Sequence, residues 1–165
     1  MKHLLLAALT MFTLQAQADT KLDQGWMCGL KYEAQAQGFQ VIAGSFAIVG
    51  KGEINCTNLN GSKEVIPVNV AIKTRPVAAK IAFGKYKVYG ASANVYLLNH
   101  VPKDLLGNYY VAEAQGSIIG GVGVITGTHK TNRALSLYLS VNALKGFGMN
   151  LGASKMLIEL DETRL

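Results

Sequence analysis

The residues of this chain that could do chemistry are few and far apart. Cys28 and Cys56 stand 28 positions apart, and in an oxidising compartment an isolated pair is most simply a disulfide, stabilising the fold by about 3–4 kcal/mol. As metal ligands they lack company: His100 and His129 are the only other nitrogen donors outside the first few residues, and neither lies near a cysteine in sequence. His100 and Asp104, four apart around VPKDLL, have the spacing of a metal or acid–base pair and equally that of a surface hydrogen bond. Glu113, in YVAEAQ, is a general-base candidate if it faces a cavity and otherwise a solvent-facing strand residue. No G-x-S-x-G occurs, since Gly90-Ala91-Ser92-Ala93-Asn94 lacks the second glycine. The pattern points away from an enzyme, and no metal or other cofactor is expected.

The densest run of small residues is GSIIGGVGVITGTHK, Gly116 to Lys130. A dinucleotide fingerprint requires G-x-G-x-x-G; Gly121 and Gly123 fit, but Thr126 occupies the third glycine position. A phosphate loop requires glycine followed by lysine, whereas Gly127 precedes Thr128 and His129. The run is too short and glycine-rich for a membrane helix. What remains is a pair of strands whose glycines either pack at a barrel bend or form a ligand-facing wall.

The elements that must carry these residues are legible from periodicity. Met1 to His3 is basic, Leu4 to Leu14 is almost wholly apolar, and Gln15-Ala16-Gln17-Ala18 offers small residues where a signal peptidase reads. Cleavage before Asp19 leaves 147 of the 165 residues, one domain with room for a core. The apolar run of about ten residues is half of what spans a bilayer, so no transmembrane segment is expected after the leader is removed, and the location is periplasmic or secreted. In VIPVNVAIK, Ile66, Val68, Val70 and Ile72 alternate with Pro67, Asn69, Ala71 and Lys73; in ALSLYLSVN, Leu135, Leu137, Leu139 and Val141 alternate with smaller or polar neighbours. Pro67 marks a strand start or an edge. KYKVYGASANVYLL reads as a strand bent at Gly90, and MLIELDE as a final strand. Turns are expected at Asn58 to Ser62 and at Ala143 to Gly148, and a short helical turn at Val101 to Leu106. These signs predict a mainly β fold: one antiparallel barrel or sandwich, with at most one or two short helices.

Loss of Lys2 with the leader leaves 15 lysines and arginines against 10 acids. Their placement matters more than the total. Val65 to Lys103 contains no acid while carrying Lys73, Arg75, Lys80, Lys85, Lys87 and Lys103; Ala114 to Ile158 is likewise acid-free and carries Lys130, Arg133, Lys145 and Lys155. Such a surface either is a solvated basic face that keeps the protein soluble or attracts anions, which for an exported protein are lipid head groups, envelope polymers or acidic proteins rather than nucleic acid. The candidate ligand-binding residues are therefore Lys73, Arg75, Lys85 and Lys87, with Gly120, Gly121 and Gly123 as a close-approach wall.

GNYYVAEAQGSIIGGVGV, then Gly127, ALSLYLSV and GFGMNLGASKMLIEL, resembles an uncharacterised family of exported proteobacterial proteins, a domain of unknown function. Its pattern is matched at Gly107, Tyr109, Ala112, Ala114, Gly120, Gly123, Ser140, Val141, Gly148, Asn150, Leu151 and Gly152, and departs at Leu137-Tyr138-Leu139. Cys28 and Cys56 stand where that family carries a cysteine pair. The resemblance implies an exported single domain with a disulfide and no assigned activity. VYGASANVYLLNHVPKDLL and AEAQGSIIGGVG are also similar to the SYLF lipid-binding domain, which implies contact with anionic lipid through a basic surface.

Two functions of different class follow. One is a non-enzymatic envelope protein that binds a lipid or other amphipathic anion in a β-cavity or against its basic face. The other is a structural or protein-interaction module with no small-molecule ligand. A wide interior favours the first, a side-chain-filled one the second.

Overall fold

The structure, a computed structural model, describes residues 25–74 and 77–164. The expected leader, residues 1–18, and Arg75 lie outside the described residues. Among the described residues the fold is mainly β, with seven antiparallel strands: β1 (Trp26–Asn58), β2 (Lys63–Lys73), β3 (Val77–Ser92), β4 (Val95–Leu97), β5 (Gly107–Ser117), β6 (Gly120–His129) and β7 (Ser136–Leu160). Two 3-10 turns, Pro102–Leu105 and Glu162–Arg164, are the helical segments among the described residues. No helix among them is long and apolar enough to cross a membrane.

β1 is the organising element. Along one edge it pairs in turn with β4 at Trp26–Cys28, β3 from Lys31 to Ala43 and β2 from Ala47 to Thr57. A straight strand of 33 residues would reach about 110 Å. Yet Cys28 and Cys56, near its two ends, have Cα atoms 4.1 Å apart and form the expected disulfide. β1 is therefore folded in half. Gly38 and Gly44, at φ 135° and 129°, supply the backbone conformation that other residues resist.

The bend crosses the whole sheet. Gly38 pairs with Gly84, Gly84 with Gly148, Gly148 with Ser117 and Ser117 with Gly121, placing a row of small residues over five strand segments. A Cβ on Gly84 would lie 2.1 Å from the Phe147 carbonyl oxygen. β7 bends in the same zone, at Gly146, and passes around the tip of the β5–β6 hairpin: its C-terminal part pairs with β5 and its N-terminal part with β6. The chain β2–β1–β3–β7 closes because β2 also pairs with β7, giving a barrel-like ring.

Away from the bend the interior is apolar. Leu30, Ile54, Ile66, Val68, Val70, Ile72, Val88, Leu97, Leu137, Leu139, Met156 and Ile158 are all buried, as period-two alternation predicts. The chain end seals this half: Arg164 Nη2 donates to the Gly52 carbonyl at 2.6 Å and Nε to Asp161 at 2.8 Å, while Lys51 meets the same carboxylate at 3.1 Å.

One expectation about local structure is corrected. Ala143 to Gly148 is not a turn but the bend inside continuous β7, because β3 pairs along it without a break there. Of the two readings of Pro67, a strand start or an edge, the second holds: β2 begins at Lys63, and β7 joins its second edge only from Val68 onward, leaving Pro67 at an edge position. Asn58 to Ser62 is the expected turn, with Asn58 Oδ1 accepting from the backbone amides of Asn60 and Ser62.

Candidate functional site

At the bend the usual polarity of a β domain is inverted. Inward-facing positions on four strands are Gln40, Lys80, Glu113, Gln115, Ser117, Asn150 and Ser154, all buried. Lys80 Nζ donates to Glu113 Oε1 at 2.8 Å and to Ser154 Oγ at 2.6 Å, and lies 5.5 Å from the Phe46 ring centre. The second carboxylate oxygen of Glu113 accepts from Asn150 Nδ2 at 2.6 Å. Burial pulls the Lys80 ammonium below the ordinary lysine range, with the Glu113 charge pulling the other way. Burial first and the Glu113 charge second push the Tyr32 and Tyr86 hydroxyls well above the ordinary tyrosine range.

Among the described residues this network is incompletely paired. The Tyr32 and Tyr86 hydroxyls, both amide atoms of Gln115 and Oδ1 of Asn150 have no hydrogen-bond partner among the described residues. Tyr86 lies beside Asn150 without a hydrogen bond of good geometry. Gln115 and Asn150 are direct cross-strand neighbours. Each buried polar atom left unpaired costs about 1–3 kcal/mol.

Outside the same wall the surface is apolar. Phe39 pairs across to Phe83 and then Met149; Val41 pairs to Ile81 and then Leu151. Phe39 is 65% exposed, Phe147 58% and Leu151 52%, and Phe83 and Phe147 rings are 5.9 Å apart. Beside this patch the β5–β6 turn presents Ile118 and Ile119, at 78% and 88% exposed the most open aliphatic pair adjacent in the chain. Toward the other half of the barrel the next rows are basic: Gln37–Lys85–Phe147 and Gln35–Lys87–Lys145–Gly120. Lys87 and Lys145 are directly opposed, an arrangement that destabilises a sheet, and these rows contain no carboxylate.

The residues expected to form a site separate. Lys85 and Lys87 are exposed on one face of β3, next to Lys145. Lys73 is exposed at the far end of β2, opposite Lys155. Gly120 borders the basic rows, whereas Gly121 and Gly123 serve packing: a Cβ there would lie 1.8 Å from the Gly116 carbonyl oxygen and 2.6 Å from Gln115. Lys80, counted with the surface cations, is corrected to an interior residue, and Glu113, expected in solvent or a cavity, is its buried partner. Both lie in phase with inward neighbours, Lys80 with Ala82 and Tyr86 and Glu113 with Tyr109 and Val111, which is the signal that could have found them. His100 and Asp104 are 3.0 Å apart, and His100 Nε2 faces the Asn132 amide, so both ring nitrogens are occupied in holding the 3-10 turn. No group of three or more metal-type ligands occurs among the described residues.

Concave sites among the described residues that flank the strands are open grooves. One, of about 570 Å³, is bordered by Tyr110, Thr126, Thr128, Ser136 and Tyr138; another, of about 510 Å³, by Glu33, Gln35, Gln37, Val49 and Lys51. No protein-family model, curated protein or solved structure matches this chain.

Proposed function

We propose that this protein is a non-enzymatic envelope protein, periplasmic or secreted, that docks its inverted end onto an anionic lipid surface. The observation that supports this most is the exchange of polarity at the bend: Gln40, Lys80, Glu113, Gln115 and Asn150 face inward while Phe39, Val41, Ile81, Phe147 and Leu151 face outward. Polar-in, apolar-out alternation is what a β-wall adopts where its neighbour is lipid. Adjacent Lys85, Lys87 and Lys145 stand where lipid phosphates would lie once the apolar patch and the Ile118–Ile119 tip enter the interface. Charge decides the choice of occupant, because an anionic surface offsets the Lys87–Lys145 repulsion that no carboxylate in those rows offsets. The buried disulfide suits an oxidising compartment. Apolar side chains pack the other half of the barrel, so the reading rests on the outer face rather than on a lipid held inside.

Vesicle co-sedimentation tests it. Binding to vesicles with acidic lipid exceeds binding to neutral ones and weakens steeply with salt, since exposed charges are screened over about 8 Å at physiological ionic strength. Each lysine near the surface contributes about 1 kcal/mol, so reversing Lys85 and Lys87 to glutamate together costs about 4 kcal/mol, close to a thousandfold. Equal, salt-independent binding to both vesicle types, or none to either, removes the lipid reading and leaves a protein-interaction module.

A further inference from the structure

We infer that the polar interior at the bend is a binding site for small uncharged hydroxylic molecules, water or a glycerol-sized polyol. Four side chains carry the inference, each at least nine-tenths buried: Tyr32, Tyr86, Gln115 and Asn150 are 5%, 3%, 5% and 0% exposed. Between them they present two hydroxyls, an amide NH₂ and two amide oxygens without partners among the described residues.

Gln115 and Asn150 are opposed across β5 and β7, Asn150 holds Glu113, the Tyr86 ring packs at Gly148, two residues from Asn150 along β7, and the Tyr32 ring packs at Gly90 of β3, the strand that carries Tyr86. The guest's chemistry follows from what is already neutralised. Lys80 and Glu113 balance each other at 2.8 Å, so the remaining valences call for a neutral molecule that both donates and accepts. Hydroxyl groups do both, and a buried water typically makes about three such bonds. Ammonium or carboxylate guests would add an unbalanced charge beside a paired one.

The sign of a melting-temperature shift tests this. If the hydroxyl of Tyr32 is bonded to a guest, Tyr32→Phe lowers Tm by a few degrees; if it is truly unpaired, deleting it removes a desolvation cost and raises Tm. Gln115→Met, similar in shape, follows the same logic, and Tyr32→Phe decides alone if that variant does not fold. Water-selective nuclear Overhauser spectroscopy at the Gln115 side-chain amide and native mass spectrometry of the purified protein then identify the guest. A fall in Tm with long-lived water cross-peaks assigns water, and a fall with retained mass near that of glycerol assigns a polyol. A rise or no change overturns the inference, as does a fall accompanied by neither cross-peaks nor added mass.

Discussion

Replacing Glu113 with glutamine keeps the shape of the side chain and its bond from Asn150 but removes the charge that faces Lys80. Lys80 is 3% exposed, and stripping one partner from a buried ion pair typically costs about 3–5 kcal/mol. Against a total stability of about 5–15 kcal/mol that is a large fraction, and for a domain of this size it lowers Tm by about 10–15 °C. The deficit depends on pH with a definite sign. In the wild type burial lowers the Lys80 value while Glu113 raises it, so the variant retains only the lowering influence. Between that depressed folded value and the unfolded value of about 10.5 the unfolded chain holds the extra proton, so stability rises with pH. Thermal melts of the variant should therefore approach those of the wild type as pH is raised toward 10. A second variant removes the alternative that the site merely tolerates no change: with Lys80→Met added to Glu113→Gln, the uncompensated charge is gone while the bond from Asn150 stays, and Tm recovers most of the loss. A cost below about 1 kcal/mol for Glu113→Gln, or a double variant as unstable as the single one, refutes the reasoning.

Cys28→Ser should cost about 2–5 kcal/mol, and alkylation of folded protein without reductant should label neither cysteine, read by mass spectrometry. Gly84→Val should fail to fold or lose most of its stability, because its Cβ meets backbone at φ 110°, whereas Gly116→Ala, with nothing within 4 Å of the added atom, should melt within a few degrees of the wild type. Asp161 is held below the usual carboxylate range by Thr163 and Lys51 foremost, so its contribution is full above about pH 4 and is lost as pH falls further; Asp161→Asn should lower Tm at neutral pH, the gap closing in acid melts.

The apolar half of the ring was readable residue by residue. Ile66 to Ile72 and Leu135 to Val141 alternate cleanly because one face of each strand meets the core and the other meets water. The bend half was not. There Phe39, Phe83 and Phe147 alternate with Gln40, Ala82 and Gly148, and taking the apolar face as the core puts the strand inside out. Acid-free stretches correctly marked Lys85 and Lys87 as exposed, but charge along the chain cannot report that Lys80 finds Glu113, 33 positions away, through β7. Glycines were legible as bend residues, as Gly121 shows, while their alignment across strands is a property of register that periodicity alone does not fix.

The central claim is that the inverted end, and not the disulfide end, meets lipid. Trp26, paired with Leu97 beside the disulfide, lies about 40 Å along β1 from Gly38 and supplies a native reference at the far end. Phe147→Trp places a second indole within the apolar patch. With vesicles of acidic lipid carrying bromine on the acyl chains, the fluorescence contributed by the new indole should shift to the blue and be quenched, while the emission of wild-type protein stays as it is in buffer. Quenching of Trp26 with none at position 147, in protein that sediments with the vesicles, would contradict the account.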